Sequence, residues 1–314
     1  MEISVVVPVY RSGEGLRELH RRLTATLQSL TPEYEIIFVE DCGGDNSWEV
    51  ITCLAANDPH VRGIRFSRNF GQHAATICGI SRATGNWVVT IDDDLEQSPE
   101  DIPTLLDRAK QGYDLVYGVF PERAHSRWRN FTSHLARRLF TLAIPSLNRE
   151  YTSFRVLRQT VAQALPCFDS PYPFIDGYLS WVTHRYATVP VRHGSRARGG
   201  SNYTVRKLLA HTINIFVTFS DLPLRFAIWL GLGTFLGGLA WLAWIVVARL
   251  LGGITVSGYA SIMAAIILFG GLQMLILGIM GEYLARVNFK TSRKPLYLVA
   301  QETEQHSAPE TLLV

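Results

Sequence analysis

Three consecutive carboxylates, Asp92-Asp93-Asp94, follow the apolar run Trp87-Val88-Val89-Thr90-Ile91. Adjacent negative charges repel one another and are costly to bury without partners. A hard divalent cation, which takes oxygen ligands, accounts for them most simply. In an extended chain, residues two apart point the same way, so Asp92 and Asp94 can reach one ion while Asp93 faces elsewhere. Taken alone, the triplet is equally well explained as a solvated acidic turn before a helix opened by Ser98 and Pro99.

The elements that would position these carboxylates follow from hydrophobic periodicity. Apolar runs predict strands at Ile3–Val9, Tyr34–Val39, Val61–Phe66, Trp87–Ile91 and Leu115–Val119. Helical patterns predict helices at Glu14–Leu30, Ser47–Asn57, Gln72–Thr84 and Pro99–Gln111. In the first helix Leu16, Leu19, Leu23, Leu27 and Leu30 share one face. Alternating strands and helices imply a mostly parallel sheet covered on both faces, whose ligands bind beyond the carboxyl ends of the strands. Polar clusters fall at those ends: Tyr10-Arg11-Ser12, Glu40-Asp41, Arg68-Asn69 and Asp92-Asp93-Asp94. Four clusters on one rim indicate a site. No Gly-x-Gly-x-x-Gly follows the first strand, which argues against a dinucleotide fold.

The chain has 314 residues, a formal net charge of +3 and a hydrophobic fraction of 47%. The apolar excess is concentrated near the C-terminus. Residues 226–248 and 250–281 contain uncharged stretches, long enough for a hydrocarbon core that needs about 20 apolar residues. Two transmembrane helices are expected at about 226–249 and 259–281. Arg206, Lys207 and Arg225 precede the spans, and Arg286, Lys290, Arg293 and Lys294 follow them. The positive-inside rule then places both termini in the cytoplasm. Val205–Leu222 is partly amphipathic and reads as an interfacial helix, or as a core helix of the soluble part. Cys42, Cys53, Cys78 and Cys167 show no Cys-x-x-Cys spacing, which argues against structural zinc and a disulfide framework. The expected division is 1–204 catalytic, 205–222 juxtamembrane, 223–284 membrane hairpin and 285–314 cytoplasmic tail.

At the motifs, the chain resembles family 2 glycosyltransferases. Ser4-Val5-Val6-Val7-Pro8-Val9-Tyr10 looks like their first strand, and Glu40-Asp41-Cys42-Gly43-Gly44-Asp45-Asn46-Ser47 resembles their nucleotide loop. Arg68-Asn69-Phe70-Gly71-Gln72-His73 and Asp92-Asp93-Asp94-Leu95-Glu96-Gln97-Ser98-Pro99-Glu100 narrow the likeness to the polyprenyl-phosphate group, the dolichol-phosphate mannose synthases and their bacterial relatives. Arg196-Ala197-Arg198-Gly199-Gly200-Ser201-Asn202-Tyr203 is similar to that group's Arg-x-x-Gly-x-Ser-Lys-Tyr, and Gly281-Glu282-Tyr283 with Arg286 also resembles its pattern.

The resemblance implies a GT-A (Rossmann-like) α/β domain and an inverting, Mg²⁺- or Mn²⁺-dependent transferase. It would move a sugar from a nucleotide-sugar, with UDP ahead of GDP, to a polyprenyl phosphate such as undecaprenyl phosphate at the bacterial inner membrane. By position, Pro8, Tyr10, Glu40, Asp41, Asn69, Asp92, Asp93 and Arg196 would meet the donor. Asp92, Asp94 and Glu96 would hold the metal; the family often has Gln at the position of Glu96. Arg123, Arg129, Ser133, Arg196 and Ser201 would bind the lipid phosphate, for which the planar fork of arginine is well suited. Asp94, Arg129 and Glu150 stand as the catalytic candidates, Glu150 as the nearest possible base. The acceptor phosphate is already ionised, so a strong base is not required.

There are departures. Cys42 stands where the nucleotide loop usually has Gly, which can shift the turn by a residue. Ser153 stands where some relatives carry Asp, and Asn202 replaces the usual Lys. The expected partners are donor, polyprenyl phosphate and bilayer, with self-association through glycine-rich spans and no nucleic acid. The alternatives are a same-fold transferase for another acceptor, such as a lipid-linked oligosaccharide, or a catalytically weakened membrane scaffold.

Overall fold

A computed structural model describes residues 1–120, 151–168, 170, 173–192, 222–251, 258–292 and 294–303. The chain divides into two compact units, Met1–Val205 with Pro295–Val314, and Arg206–Lys294.

The first unit is built on an eight-stranded sheet of order β7-β5-β6-β4-β1-β2-β3-β8. Its strands are β1 (Ile3–Val9), β2 (Tyr34–Glu40), β3 (Val61–Phe66), β4 (Trp87–Thr90), β5 (Leu115–Val119), β6 (Arg155–Arg158), β7 (Tyr186–Pro190) and β8 (Val299–Glu302). β1 pairs in parallel with both β2 and β4, β2 with β3, and β5 with β7. β6 lies antiparallel between β4 and β5, and β8 is antiparallel to β3 at the edge. The sheet is therefore mostly parallel, as the sequence predicts. β6, β7 and β8 were not among the predicted strands.

Among the described residues, the α-helices of this unit are α1 (Leu16–Gln28), α2 (Ser47–Asn57), α3 (Gln72–Arg82), α4 (Ile102–Lys110), α5 (Gln159–Ala162) and α6 (Ile175–Val182). Side chains alternate along each strand, and the central strands are buried on both faces. Val5, Val7, Ile36 and Phe38 face the core formed with Leu19 and Leu23 of α1, Ile51 of α2 and Leu105 of α4. Ile37, Val39 and Ile64 face Ala74, Ala75 and Cys78 of α3. The packing there is close: a Cβ on Gly79 would stand 2.3 Å from Val6 Cγ1.

The strand order sets the position of the site. The chain moves outward from β1 through β2 to β3, then returns to place β4 on the other side of β1. The loops after β1 and β4 thus diverge at a topological switch point, where open α/β sheets form a crevice.

The second unit contains α7 (Leu222–Leu250) and α8 (Tyr259–Thr291). Among the described residues, one helix is long and apolar enough to cross a membrane: its window Leu268–Ala285 has a mean hydropathy of 1.5 and is wholly unburied. Leu224–Gly238 is a shorter apolar stretch. The proposed interfacial helix falls on residues 205–221, outside the described residues, apart from Leu222, which begins α7. The expected tail from 285 differs from the structure. α8 runs on to Thr291, and Val299–Glu302 rejoins the sheet as β8.

Candidate active site

Among the described residues, three non-glycine residues have left-handed backbone: Arg11 (φ 59°), Cys42 (φ 52°) and Leu95 (φ 63°). They lie in the loops after β1, β2 and β4, on the rim where the sequence places the site. Such conformations cost free energy and persist where the surroundings enforce them, commonly at functional sites. Cys42 adopts the left-handed geometry at the position where a glycine was expected.

Asp92 is held by three side-chain donors. Its Oδ1 accepts from Gln72 Nε2 at 2.7 Å, and its Oδ2 accepts from Gln97 Nε2 at 3.0 Å and from Ser153 Oγ. Gln97 Oε1 in turn accepts from the Asp92 backbone N–H at 2.9 Å, and Gln97 Nε2 donates to Ser153 Oγ at 2.7 Å. Gln97 therefore clamps Asp92 at two points and is itself only 4% exposed. Burial pushes the Asp92 carboxyl up; the Ser153 hydrogen bond opposes this, and the Asp94 charge adds to it.

Asp93 faces the other side of the switch point. Its Oδ2 accepts from the Tyr10 backbone N–H at 2.9 Å, which ties the loop after β4 to the loop after β1. Burial pushes its carboxyl up to about 6, against the hydrogen bonds from Ser12 and Tyr10. Asp94 Oδ1 accepts from the Glu96 backbone N–H at 3.0 Å. Pro8 is buried in β1, two residues beyond its last pairing with β4, where the missing N–H leaves no ladder bond unmade.

Asp41 is also spoken for. Its two carboxylate oxygens accept from Phe70 N–H at 2.6 Å and Gly71 N–H at 2.8 Å, and Asn69 Nδ2 donates to its carbonyl at 3.2 Å. Gly71, at φ 92°, supplies the backbone geometry that turns this loop into α3. Burial pushes the Asp41 carboxyl up against those two N–H groups. Glu40 is 1% exposed, and its oxygens accept from Gly43 N–H at 2.6 Å and Arg65 Nε at 3.1 Å. Glu40 thus shapes the turn after β2.

A polar network lies beneath Asp92. The buried Arg155 of β6 pairs with the buried Asp176 of α6, donates from Nε to Thr90 Oγ1 at 3.1 Å and lies beside the Tyr117 ring. Tyr117 OH donates to Asp176 Oδ1 at 3.0 Å. Thr90 Oγ1 donates to the Ser153 carbonyl, which fixes the residue that holds Asp92.

The residues can be tested as a cation site on donor chemistry. Asp92 and Asp94 offer only oxygens, and the Asp92 hydrogen bonds described above come from neutral donors; the Arg155 charge offsets only part of what burial and the Asp94 charge cost it. Among the described residues, no group of three or more His, Cys, Asp or Glu side chains is placed to hold a metal ion. The expected set Asp92, Asp94 and Glu96 is therefore not assembled as a cage. The strand ends at Thr90, and the turn with left-handed Leu95 breaks the alternation on which that expectation rested. A magnesium-like ion, which takes one or two carboxylates and completes its shell with substrate phosphate and water, still fits the pair.

The structure brings Tyr10, Asp41, Asn69, Asp92, Asp93, Asp94 and Glu96 to the loops at one rim, with Pro8 and Glu40 at the carboxyl ends of β1 and β2 beneath them. Arg123, Arg129, Ser133, Glu150, Arg196 and Ser201 lie outside the described residues. The sequence reading missed Gln97, Gln72 and the role of Ser153. Gln97 had a local signal, a buried-type amide five residues from Asp92; Ser153 needed the pairing of β6 with β4.

Comparison with known proteins agrees with this geometry. The pattern of glycosyl transferase family 2 matches residues 4–167, and that of the GtrB C-terminal hairpin matches residues 222–287. The chain belongs to glycosyl transferase family 2. This family 2 glycosyltransferase is 34% identical over 308 residues to an uncharacterized glycosyltransferase of Synechocystis sp., covering 96% of this chain and 95% of that one. It is 31% identical to the uncharacterized glycosyltransferase YkcC of Bacillus subtilis, covering 95% and 93%. Among solved structures, glucosyl-3-phosphoglycerate synthase from Mycobacterium tuberculosis matches with a TM-score of 0.50 at 18% identity, covering 69% of this chain and 78% of that one. S. aureus TarS, solved with UDP-GlcNAc, matches with a TM-score of 0.50 at 14% identity, covering 69% and 66%. These two likenesses show the GT-A fold.

Proposed function

We propose that this glycosyltransferase moves a sugar from a nucleotide-sugar, most simply a UDP-sugar, to a polyprenyl phosphate at the cytoplasmic face of a membrane. One observation carries the reading: Asp92 and Asp94 lie at the β1/β4 switch point, with Asp92 held by neutral donors, in a chain that also bears a GtrB-type hairpin. A divalent cation held by Asp92 and Asp94 would supply Lewis-acid stabilisation of the departing diphosphate. Asp93 holds the loops on either side of the crevice together. Asp41 and the loop at residues 68–71 form the nucleoside end of the site.

The acceptor oxygen bonds to the anomeric carbon as the bond to the diphosphate oxygen breaks, with inversion. The acceptor is an ionised phosphate, so no proton has to be removed, and Glu150 need not act as a base. Arg123, Arg129, Ser133, Arg196 and Ser201 are assigned to the lipid phosphate from the sequence.

Chain connectivity supports a hairpin anchored from one side. β1 to β7 precede the second unit and β8 follows it, yet all eight strands share one sheet. A chain that leaves a sheet and returns to it crosses a membrane an even number of times. Large apolar side chains of α7 and α8, among them Trp229, Phe235, Trp241, Leu268 and Met274, are exposed, as a lipid environment requires.

The test is transfer from a panel of nucleotide-sugars to undecaprenyl phosphate, with product extracted into organic solvent. Asp94→Asn should lower turnover at least about 100-fold while the protein still folds and inserts. Unchanged turnover in EDTA would overturn the metal role, and transfer only to a lipid-linked oligosaccharide would overturn the acceptor.

A further inference from the structure

We propose that the segment Leu296–Thr303, which follows the hairpin, positions the nucleoside end of the donor site, with Tyr297 as its positioning residue. This rests on the reading that Asp41 and the loop after β3 meet the donor.

The observations form one chain of contacts. β8 pairs with β3 at Ile64, Arg65 and Phe66, with an irregularity between Arg65 and Phe66. Covering an open sheet edge explains that ladder by itself. It does not explain what lies beyond the ladder, toward the rim. There the Leu298 carbonyl accepts from Ser67 N–H at 2.9 Å. The Tyr297 ring stacks on Phe66, with centroids 5.1 Å apart and planes 13° apart, and Phe66 meets the edge of Phe70 at 5.6 Å. Tyr297 OH lies 3.3 Å from Ser81 Oγ on α3. Phe70 N–H is the donor 2.6 Å from Asp41 Oδ1.

Leu296, Tyr297 and Val299 thus pack behind the loop whose amides hold Asp41. At the far end the segment is pinned by ion pairs from Glu302 to Arg62 at 3.1 Å and Arg82 at 2.9 Å, and Thr303 N–H donates to the Gly63 carbonyl at 2.9 Å. Few residues separate the end of α8 at Thr291 from Leu296. Residues synthesised after the hairpin therefore complete the wall behind the nucleoside site.

The experiment uses the full chain in detergent, with UDP and then GDP as binding probes, and donor KM and kcat measured in the transfer assay. Tyr297→Ala should weaken nucleotide binding and raise donor KM by about 2- to 10-fold, the range of one lost aromatic pair, with kcat at saturating donor within about twofold. Tyr297→Phe keeps the stack and should behave as wild type. Should Tyr297→Ala fail to fold, Tyr297→Leu carries the same expectation. A lowered kcat with unchanged donor KM would mean a merely structural role and overturns the proposal. So does wild-type UDP affinity in Tyr297→Ala while Asp41→Ala loses it. If Asp41→Ala also binds as wild type, the donor reading fails and the proposal fails with it.

Discussion

At the residue scale, the aspartate run separates into three jobs. Asp92 is oriented from three directions, Asp93 staples two loops, and Asp94 closes a short turn onto the Glu96 amide. Asp93 faces away from Asp92, as two-residue alternation foretells, but it does so in a turn, since β4 ends at Thr90. Alternation does not foretell Gln97, because a clamp onto a backbone N–H depends on how the loop folds back after Leu95. Partners that orient a metal-binding carboxylate commonly matter for metal affinity about 10- to 100-fold, so Gln97→Leu should raise the Mn²⁺ concentration for half-activation by about 10-fold. The measurement is a metal titration at saturating donor; an unchanged midpoint with lowered stability would assign Gln97 to folding alone.

At the element scale, β6 is the decisive addition to what the sequence shows. The parallel strands were legible because Ile3–Val9, Tyr34–Glu40 and Val61–Phe66 are apolar runs between turn residues. β6 is four residues long, with Arg155 and Arg158 at its ends, and such a strand has no clear periodic signal. Its place between β4 and β5 is what puts Ser153 against Asp92 and buries Arg155. That buried ion pair makes a sharp prediction. Arg155→Met leaves Asp176 without its cation and should cost about 3–5 kcal/mol in denaturant unfolding, whereas Arg155→Met with Asp176→Leu should recover much of the loss. A single variant as stable as wild type would show that the pair does not hold β6 to α6.

At the scale of the whole molecule, the two long C-terminal helices were legible from their apolar length, one of them long and apolar enough to cross a membrane among the described residues, but the return of the chain to the sheet was not. Val299-Ala300-Gln301-Glu302 is too polar and short to stand out, and only its pairing with β3 identifies it as a strand. The proposed topology is open to direct measurement. An alkaline phosphatase reporter should be inactive when fused at the C-terminus and active when inserted within residues 252–258. Activity at the C-terminus would overturn the same-side placement of β8 and the rest of the sheet. The place of β8 also has a consequence in time. During synthesis β3 emerges long before β8, by roughly 10 s or more at about 5–20 residues per second. Throughout that interval the nascent sheet carries a bare, pairing-competent edge, closed only after the hairpin has been made. Biogenesis of this enzyme is therefore ordered: the helical hairpin is synthesised before the catalytic sheet can be finished, and a chain stalled between the two is left with an adhesive edge that chaperones or proteases can recognise.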